Sequence, residues 1–445
     1  MYLDQLLNGG GAAEWGICGV GVMGQDRAMR EALRSQDGLY TLLVKYPDGH
    51  CTARVIGSII EYLFAPDDPA RVAEKLASAD TRIVSLTITE GGYNMHPDTG
   101  KFDFENPSIR LDLRPDAVPT TVFGLLAEGF RLRRERGELP LTVLSCDNIP
   151  GNGKVARNML LAFAERKNPG LKAWIENHIS FPNSMVDRIT PVTTESDRQA
   201  VKDRFDIDDA WPAVCEPFMQ WVVEDHFLAG RPDLTTVGVQ LVADVTPFEL
   251  MKLRLLNAGH QAIAYLGYLS GYRYIDEVMR DPVFVDFLTG FMESEATPTL
   301  PAVPGIDLAL YRHTLRERFG NPEIRDSLAR ICAYTSDRIP KFLLPIIQDQ
   351  LRTGGPIARS AAVIASWARY AEGVDEQGRR IDVVDRWQTK LMSIAASNHR
   401  LPAAFVQNRA VFADLADHPR FMAAYLEALC LLHKCGASAT VAHYR

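Results

Sequence analysis

Two textures of hydrophobic patterning divide the chain. Across residues 1–240, short continuous apolar runs alternate with stretches of helical period. The runs WGICGVGV, LYTLLVKY, RIVSLTIT, LTVLSCDN and ISFPNSMV predict strands; DRAMREALRSQ, PARVAEKLASA, TVFGLLAEGFRLRRERG and VARNMLLAFAERK predict helices between them. Such alternation is that of βαβ units, and runs this apolar predict strands of a parallel sheet buried on both faces. From Thr246 onward the 3.6-residue period takes over. PFELMKLRLLNAGHQAIAYLGYLSGYRYIDEVM reads as one long helix, and five more helical stretches follow, the last being FMAAYLEALCLLHK. The Pro-rich TPTLPAVPG predicts a loop among them. The expectation is an α/β domain over residues 1–240 and a mostly α-helical domain over 241–445.

Length and composition agree with this division. A chain of 445 residues exceeds one ordinary core, so two domains are expected. A net charge of −8 argues against a nucleic-acid or anionic-membrane partner. No apolar run reaches the length of a membrane span, and the N-terminus has no signal-peptide pattern. Seven scattered cysteines without paired spacing suit reduced thiols, so the expected location is the cytoplasm.

Several motifs admit both a chemical and a structural reading. GVGVMG, between a predicted strand and helix, matches the dinucleotide fingerprint of a Rossmann-like fold. The acid expected about 20 positions later is not clearly present. Asp26 follows the same strand; it could accept bonds from an adenosine ribose or cap the following helix. In SCDNIPGNGK, Asp147 and Asn148 stand at the C-terminal end of a strand, where open α/β sheets bind ligands, although turn chemistry uses the same residues. SFPNSMVDRITP ends a strand in an Asp-Arg pair, more often structural than catalytic. In KLRLLNAGH, Lys252, Asn257 and His260 interrupt an apolar helix at roughly 0°, 140° and 80°, with Glu249 on the same side. Polar groups converging on an apolar face need partners or a wet cleft, and desolvation turns a lysine into a usable general base. An ion pair with Glu249 plus a core histidine accounts for the pattern equally well. Zinc finds little support: Cys430, His433 and Cys435 fall together, but on an amphipathic helix. No metal is therefore expected.

Taken in order along the chain, TITEGGYN, SCDNIPGNG, ISFPNSMVDRITP and the K-x4-N-x2-H set of KLRLLNAGH resemble the long-chain mannitol dehydrogenases, metal-independent enzymes acting on secondary alcohols. The resemblance extends over essentially the whole chain. It implies that Lys252 is the general base, that Asn148 and Asn257 hold the substrate oxygen, and that His260 orients that oxygen and its neighbours. It also implies that Asp187 helps to place the substrate, that Glu90 and Glu249 line a proton path, and that Arg330 and Arg338 contact the sugar chain. Asp26 becomes the ribose-binding acid that selects NAD over NADP. In such a fold WGICGVGV is the second strand, so GVGVMG is a decoy. The phosphate-binding turn then lies one βα unit earlier, and the working protein is expected to start upstream of Met1, with on the order of 30–40 further residues.

The implied activity is NAD-dependent oxidation of a polyol, D-mannitol to D-fructose, with the open-chain polyol or ketose as the small-molecule partner. Two rivals remain. Arg330 and Arg338 could instead clamp a uronate carboxylate, which would make the protein a fructuronate or tagaturonate reductase. Alternatively, a truncated relative could bind sugar or nucleotide without turnover.

Overall fold

The computed structural model describes residues 1–96 and 99–445. Two compact units emerge from the pattern of internal packing. One comprises Met1–Val44 and Cys51–Thr246; the other comprises Lys45–His50 and Pro247–Arg445.

The first unit is α/β. Its strands are β1 (Ile17–Gly21), β2 (Tyr40–Lys45), β3 (Cys51–Ile56), β4 (Ile59–Phe64), β5 (Ile83–Leu86), β6 (Leu141–Ser145), β7 (Ile179–Ser180), β8 (Ser184–Asp187), β9 (Ala213–Cys215), β10 (Gln220–Glu224) and β11 (Gln240–Val242). The principal helices are α1 (Tyr2–Asn8), α2 (Arg27–Ser35), α3 (Pro69–Ala77), α4 (Val122–Arg136) and α5 (Asn152–Lys167). The strands pair in four groups: β1-β4, β5-β6-β7, β11-β10-β8 and β3-β2-β9. The β1-β4, β5-β6, β6-β7, β10-β11 and β2-β9 pairings are parallel, and β8 runs antiparallel to β10.

Burial on both faces holds for β6, whose five residues are all buried, but not for β1, where Ile17 and Val20 are exposed. The predicted strand ISFPNSMV is two strands in different groups, because Pro182 cannot donate to a ladder and the chain turns there. Strands β3 and β4 went unread because Arg54 and Glu61 interrupt their apolar runs. Both charges have partners: Arg54 with Asp4 at 2.8 Å, and Glu61 with Arg71 at 3.0 Å and Lys75 at 2.5 Å. The core of this unit packs α3, α4 and α5 around β5 and β6, with Phe123, Phe130, Phe163 and Tyr93 fully enclosed.

The second unit is helical. The predicted single helix after Thr246 is several segments: α6 (Thr246–Met251), a π-helical stretch over Lys252–Asn257, α7 (Ala258–Ser270) and a short turn at Ile275–Val278. Gly271, at φ 107°, terminates α7. Later come α8 (Leu308–Phe319), α9 (Ala358–Tyr370) and α10 (Pro419–His443), the last broken by Gly436 at φ 81°. Helices α9 and α10 pack on one another, and α7 packs on both. With nearly every side chain of α7 buried, this helix forms the centre of the unit. Among the described residues, no helix is long and apolar enough to cross a membrane, and all seven cysteines are free thiols.

Candidate active site

At the end of β1 the chain makes one 3₁₀ turn, Gly24–Asp26, before α2 begins. The Asp26 carboxylate makes no bond forward into α2. It closes the turn behind it, with Oδ2 accepting from the Val22 and Met23 N–H groups at 2.9 and 2.8 Å. This arrangement bears on both readings of GVGVMG. Two N–H groups that a phosphate would need are already committed to Asp26, and among the described residues Asp26 Oδ1 has no donor. Gly21 permits the crowding around it: a Cβ there would lie 2.8 Å from Tyr62 Oη, 2.9 Å from Asp26 Cβ and 3.2 Å from the Phe64 ring. Burial and the Asp26 charge push the Tyr62 phenol up to about 12, so it stays neutral. A carboxylate with one open oxygen beside two aromatic rings suits an adenosine ribose, so these residues fit the cofactor that the sequence implied.

A second cluster forms where β5, β6 and β8 end. Asp147 is structural: its carboxylate accepts from the N–H groups of Ile88 (3.0 Å) and Thr89 (2.9 Å), and from the Tyr93 hydroxyl (2.8 Å). Tyr93, completely buried, also meets Ser145 Oγ at 2.5 Å. These bonds fasten the segment carrying Glu90 to the one carrying Asn148, and both of those side chains are exposed. Asn152 continues the stitching: its Nδ2 donates to the Asp147 and Ser184 carbonyls (3.0 and 2.8 Å), and its Oδ1 accepts from Ser184 N (2.9 Å). Ser184 Oγ donates to the Ser145 carbonyl at 2.6 Å. Gly153 lets the start of α5 touch the strand beyond, since a Cβ there would fall 2.4 Å from the Pro182 carbonyl oxygen. Three of the sequence blocks, TITEGGYN, SCDNIPGNG and ISFPNSMVDRITP, are thus bonded together. Asp187, at the end of β8, is buried, while Arg188 donates to the Glu216 carbonyl at 3.0 and 2.8 Å.

In the helical unit, the π segment changes the geometry of Lys252, Asn257 and His260. An i→i+5 turn holds more residues per revolution, so Lys252 and Asn257 lie closer around the axis than a 3.6-residue period allows. Lys252 and His260 are buried, at 9% exposure each, and Asn257 and Glu249 are half-buried. The His260 ring lies against Phe319 at 3.9 Å between centroids, which fixes its plane. Arg254 secures the π segment through the Thr299 carbonyl (2.8 Å) and Asp349 (2.6 Å). One polar group was hidden by the apolar pattern. Gln261 is 2% exposed, and among the described residues neither its Oε1 nor its Nε2 finds a hydrogen-bond partner. Its only sequence signal is an amide directly after His260.

The two arginines are not a matched pair. Arg330 forms a fork with Asp326, one turn earlier, through Nε at 2.6 Å and through Nη2. Arg338 Nη1 donates to the Arg330 and Ile331 carbonyls at 3.1 and 3.0 Å. His433 turns away from the cysteines of CLLHKC: its Nε2 meets Glu372 at 2.8 Å and its ring stacks on His399 at 4.0 Å. Arg369 already neutralises Glu372 at 3.1 Å.

Comparison with known proteins agrees with both units. Residues 2–236 match the mannitol dehydrogenase Rossmann domain, and residues 244–432 the mannitol dehydrogenase C-terminal domain. The mannitol 2-dehydrogenase of Pyricularia oryzae is 44% identical over 99% of this chain and 89% of its own length. That of Aspergillus fumigatus is 44% identical over 100% and 89%. Among solved structures, the Pseudomonas fluorescens mannitol 2-dehydrogenase ternary complex with NAD and D-mannitol superposes with a TM-score of 0.88 at 44% identity, covering 99% of this chain and 90% of that one. A substrate-free D-sorbitol dehydrogenase superposes at 0.91 with 35% identity, covering 99% and 91%. With both domain models matched in order and relatives similar over its whole length, the chain belongs to the mannitol dehydrogenase family.

Proposed function

We propose that this protein is an NAD-dependent polyol dehydrogenase that interconverts D-mannitol and D-fructose, with Lys252 as general base. The observation that carries the reading is the π-helical presentation of Lys252 and Asn257, with His260 one turn on, on a buried apolar helix. Full-length similarity to mannitol 2-dehydrogenases of two fungi and to a bacterial complex with NAD and D-mannitol supports it.

When bound, NAD supplies the acceptor for the hydrogen on the substrate carbon. The protein's part is to remove the hydroxyl proton and to stabilise the oxygen left behind. Lys252 Nζ, on a residue only 9% exposed, takes the proton from the C2 hydroxyl. The amides of Asn148 and Asn257 donate to that oxygen as negative charge develops on it, a preorganised electrostatic role. His260, held flat on Phe319, orients the same oxygen. Glu90 and Glu249 carry the proton onward, and Asp187 helps to place the substrate. Asp26 Oδ1 receives the adenosine ribose hydroxyls.

Arg330 and Arg338 favour a neutral sugar over a uronate. A carboxylate would have to displace Asp326 from Arg330, and Arg338 has already spent one Nη on carbonyls. NADH consumption by the purified protein distinguishes the readings. Turnover with fructose and none with fructuronate is expected. Turnover with fructuronate alone would establish the reductase, and turnover with neither would support a binding protein.

A further inference from the structure

The turn at Asp26 lies next to two arginines, and both are held by one carboxylate. Arg27 follows Asp26 directly, and Arg30 lies one turn along α2. Both guanidinium groups sit over the ring of Phe64, at 4.8 and 4.9 Å from its centre. Phe64 and Asp26 converge on the same point, the missing Cβ of Gly21, at 3.2 and 2.9 Å. The arginines therefore pack on a ring that reaches the same point as Asp26, and neither bonds to the Asp26 carboxylate. Arg27 forms a fork with Asp67, at 2.7 Å to Oδ1 and 3.3 Å to Oδ2. Arg30 Nη1 donates to the same Oδ2 at 2.5 Å, and its Nε and Nη2 go to Glu31. Asp67 stands on the tight turn that leaves β4, its N–H bonded to the Phe64 carbonyl at 3.1 Å. The bonds from Arg27 and Arg30 also hold its carboxyl below the ordinary range, so it keeps its charge.

Arginine beside the ribose-binding acid is the group by which a dinucleotide fold accommodates a 2′-phosphate, and a fork geometry suits phosphate as well as it suits carboxylate. We propose that Asp67 is a specificity-determining residue for the cofactor: by gripping Arg27 and Arg30 on Phe64, it withholds from a 2′-phosphate the two cations that follow Asp26 in the first turn of α2. This rests on the reading of Asp26 as the ribose-binding acid. Discrimination then has two parts. Asp26 repels the phosphate, and Asp67 removes its natural partners.

The test is direct binding. Dissociation constants of NADH and NADPH are measured by nucleotide fluorescence, at low and high salt, for the wild type, Asp26→Ser, Asp67→Asn, Asp67→Glu and the double variant Asp26→Ser with Asp67→Asn. Adding Asp67→Asn to Asp26→Ser is expected to tighten NADPH binding a further tenfold or so, and to leave NADH within about twofold. That gain should shrink at high salt, as an exposed charge contact does. Asp67→Glu, which keeps the anion, should keep the wild-type preference. Equal shifts for NADH and NADPH on Asp67→Asn, in both backgrounds, would overturn the proposal. A preference that Asp26→Ser leaves unchanged would instead remove the ribose role of Asp26. The effect of Asp67→Asn on the NADPH-to-NADH ratio decides the proposal in that case too.

Discussion

In the proposed mechanism Lys252 is the general base, and it is a buried lysine on a helical stretch in which Leu, Ala and Gly predominate. An ammonium in such a place is costly unless it is paired or shed, and a neutral amine is what a general base requires. Lys252→Ala is expected to lower kcat/KM for mannitol oxidation by about 10²–10⁴-fold, and to leave the dissociation constant of NADH close to that of the wild type. Steady-state kinetics beside a nucleotide titration checks both halves; near-normal turnover would remove Lys252 from the mechanism. At this scale, residue type and spacing singled out the candidates. What spacing concealed is the division of labour between neighbours. Asp147 and Asn148 looked equally suited to a ligand, but the Asp147 carboxylate is consumed by Ile88, Thr89 and Tyr93, which places Asp147 in the scaffold and leaves Asn148 exposed. The partners lie 59, 58 and 54 residues away, beyond the reach of any local pattern.

The π segment shows what an element adds to its residues. Read with a 3.6-residue period, Lys252 and Asn257 fall within one half of a continuous helix but roughly 140° apart; the wider i→i+5 turn brings them closer. Nothing in KLRLLN announces this, since a wide turn is unfavourable by itself and needs support from elsewhere in the fold. Arg254 supplies support from inside the segment, through the Thr299 carbonyl and Asp349. Its side chain is 11% exposed, so the pair is shielded on the arginine side. Arg254→Met keeps the aliphatic stem and deletes these bonds. The expected loss is about 1.5–3 kcal/mol of stability, the worth of a charged hydrogen bond, measured by urea unfolding. Because the segment would relax toward α-helix and rotate Asn257 away from Lys252, kcat should fall more than KM rises. Unchanged kcat in a destabilised variant would show that the wide turn is held without Arg254. Strand β6 and helices α3, α4 and α5 were legible because each carries a run of buried apolar residues along its own length. By contrast, β3 and β4 were hidden by charges whose partners come from other elements.

Over the whole molecule, the change of texture after β11 was legible because burying a sheet and burying helices demand different periods. The short segment Lys45–His50 was not: it begins at the last residue of β2, yet it belongs to the helical unit, where Asn321 Nδ2 donates to the Lys45 carbonyl at 3.1 Å. What both units share is a set of carboxylates held below their ordinary values. In the α/β unit, arginine forks act on Asp67 and Asp225. In the helical unit, burial alone would raise Asp349, Glu372 and Asp375, but their hydrogen-bond partners more than compensate. Asp375 is the best enclosed of these, with a side chain 1% exposed. It accepts from Arg379 N (2.8 Å), Arg379 Nε (2.9 Å), Arg273 Nη2 (2.8 Å) and Gln377 N (3.0 Å). A carboxylate whose folded value is depressed contributes stability that is fully present above its unfolded value of about 4 and is lost as pH falls through the folded value. On account of these groups the urea midpoint should therefore stay level between pH 7 and 5, where their contribution is fully present, and should drop below about pH 4. Asp375→Asn isolates one of them. At neutral pH the variant should unfold at lower urea than the wild type, because an amide leaves two guanidinium groups without their anion. Below about pH 4 the gap should narrow, since the wild type loses the same charge by protonation. A gap that stays constant from pH 7 to pH 3 would show that Asp375 does not titrate in that range, and that acid unfolding is driven by other groups.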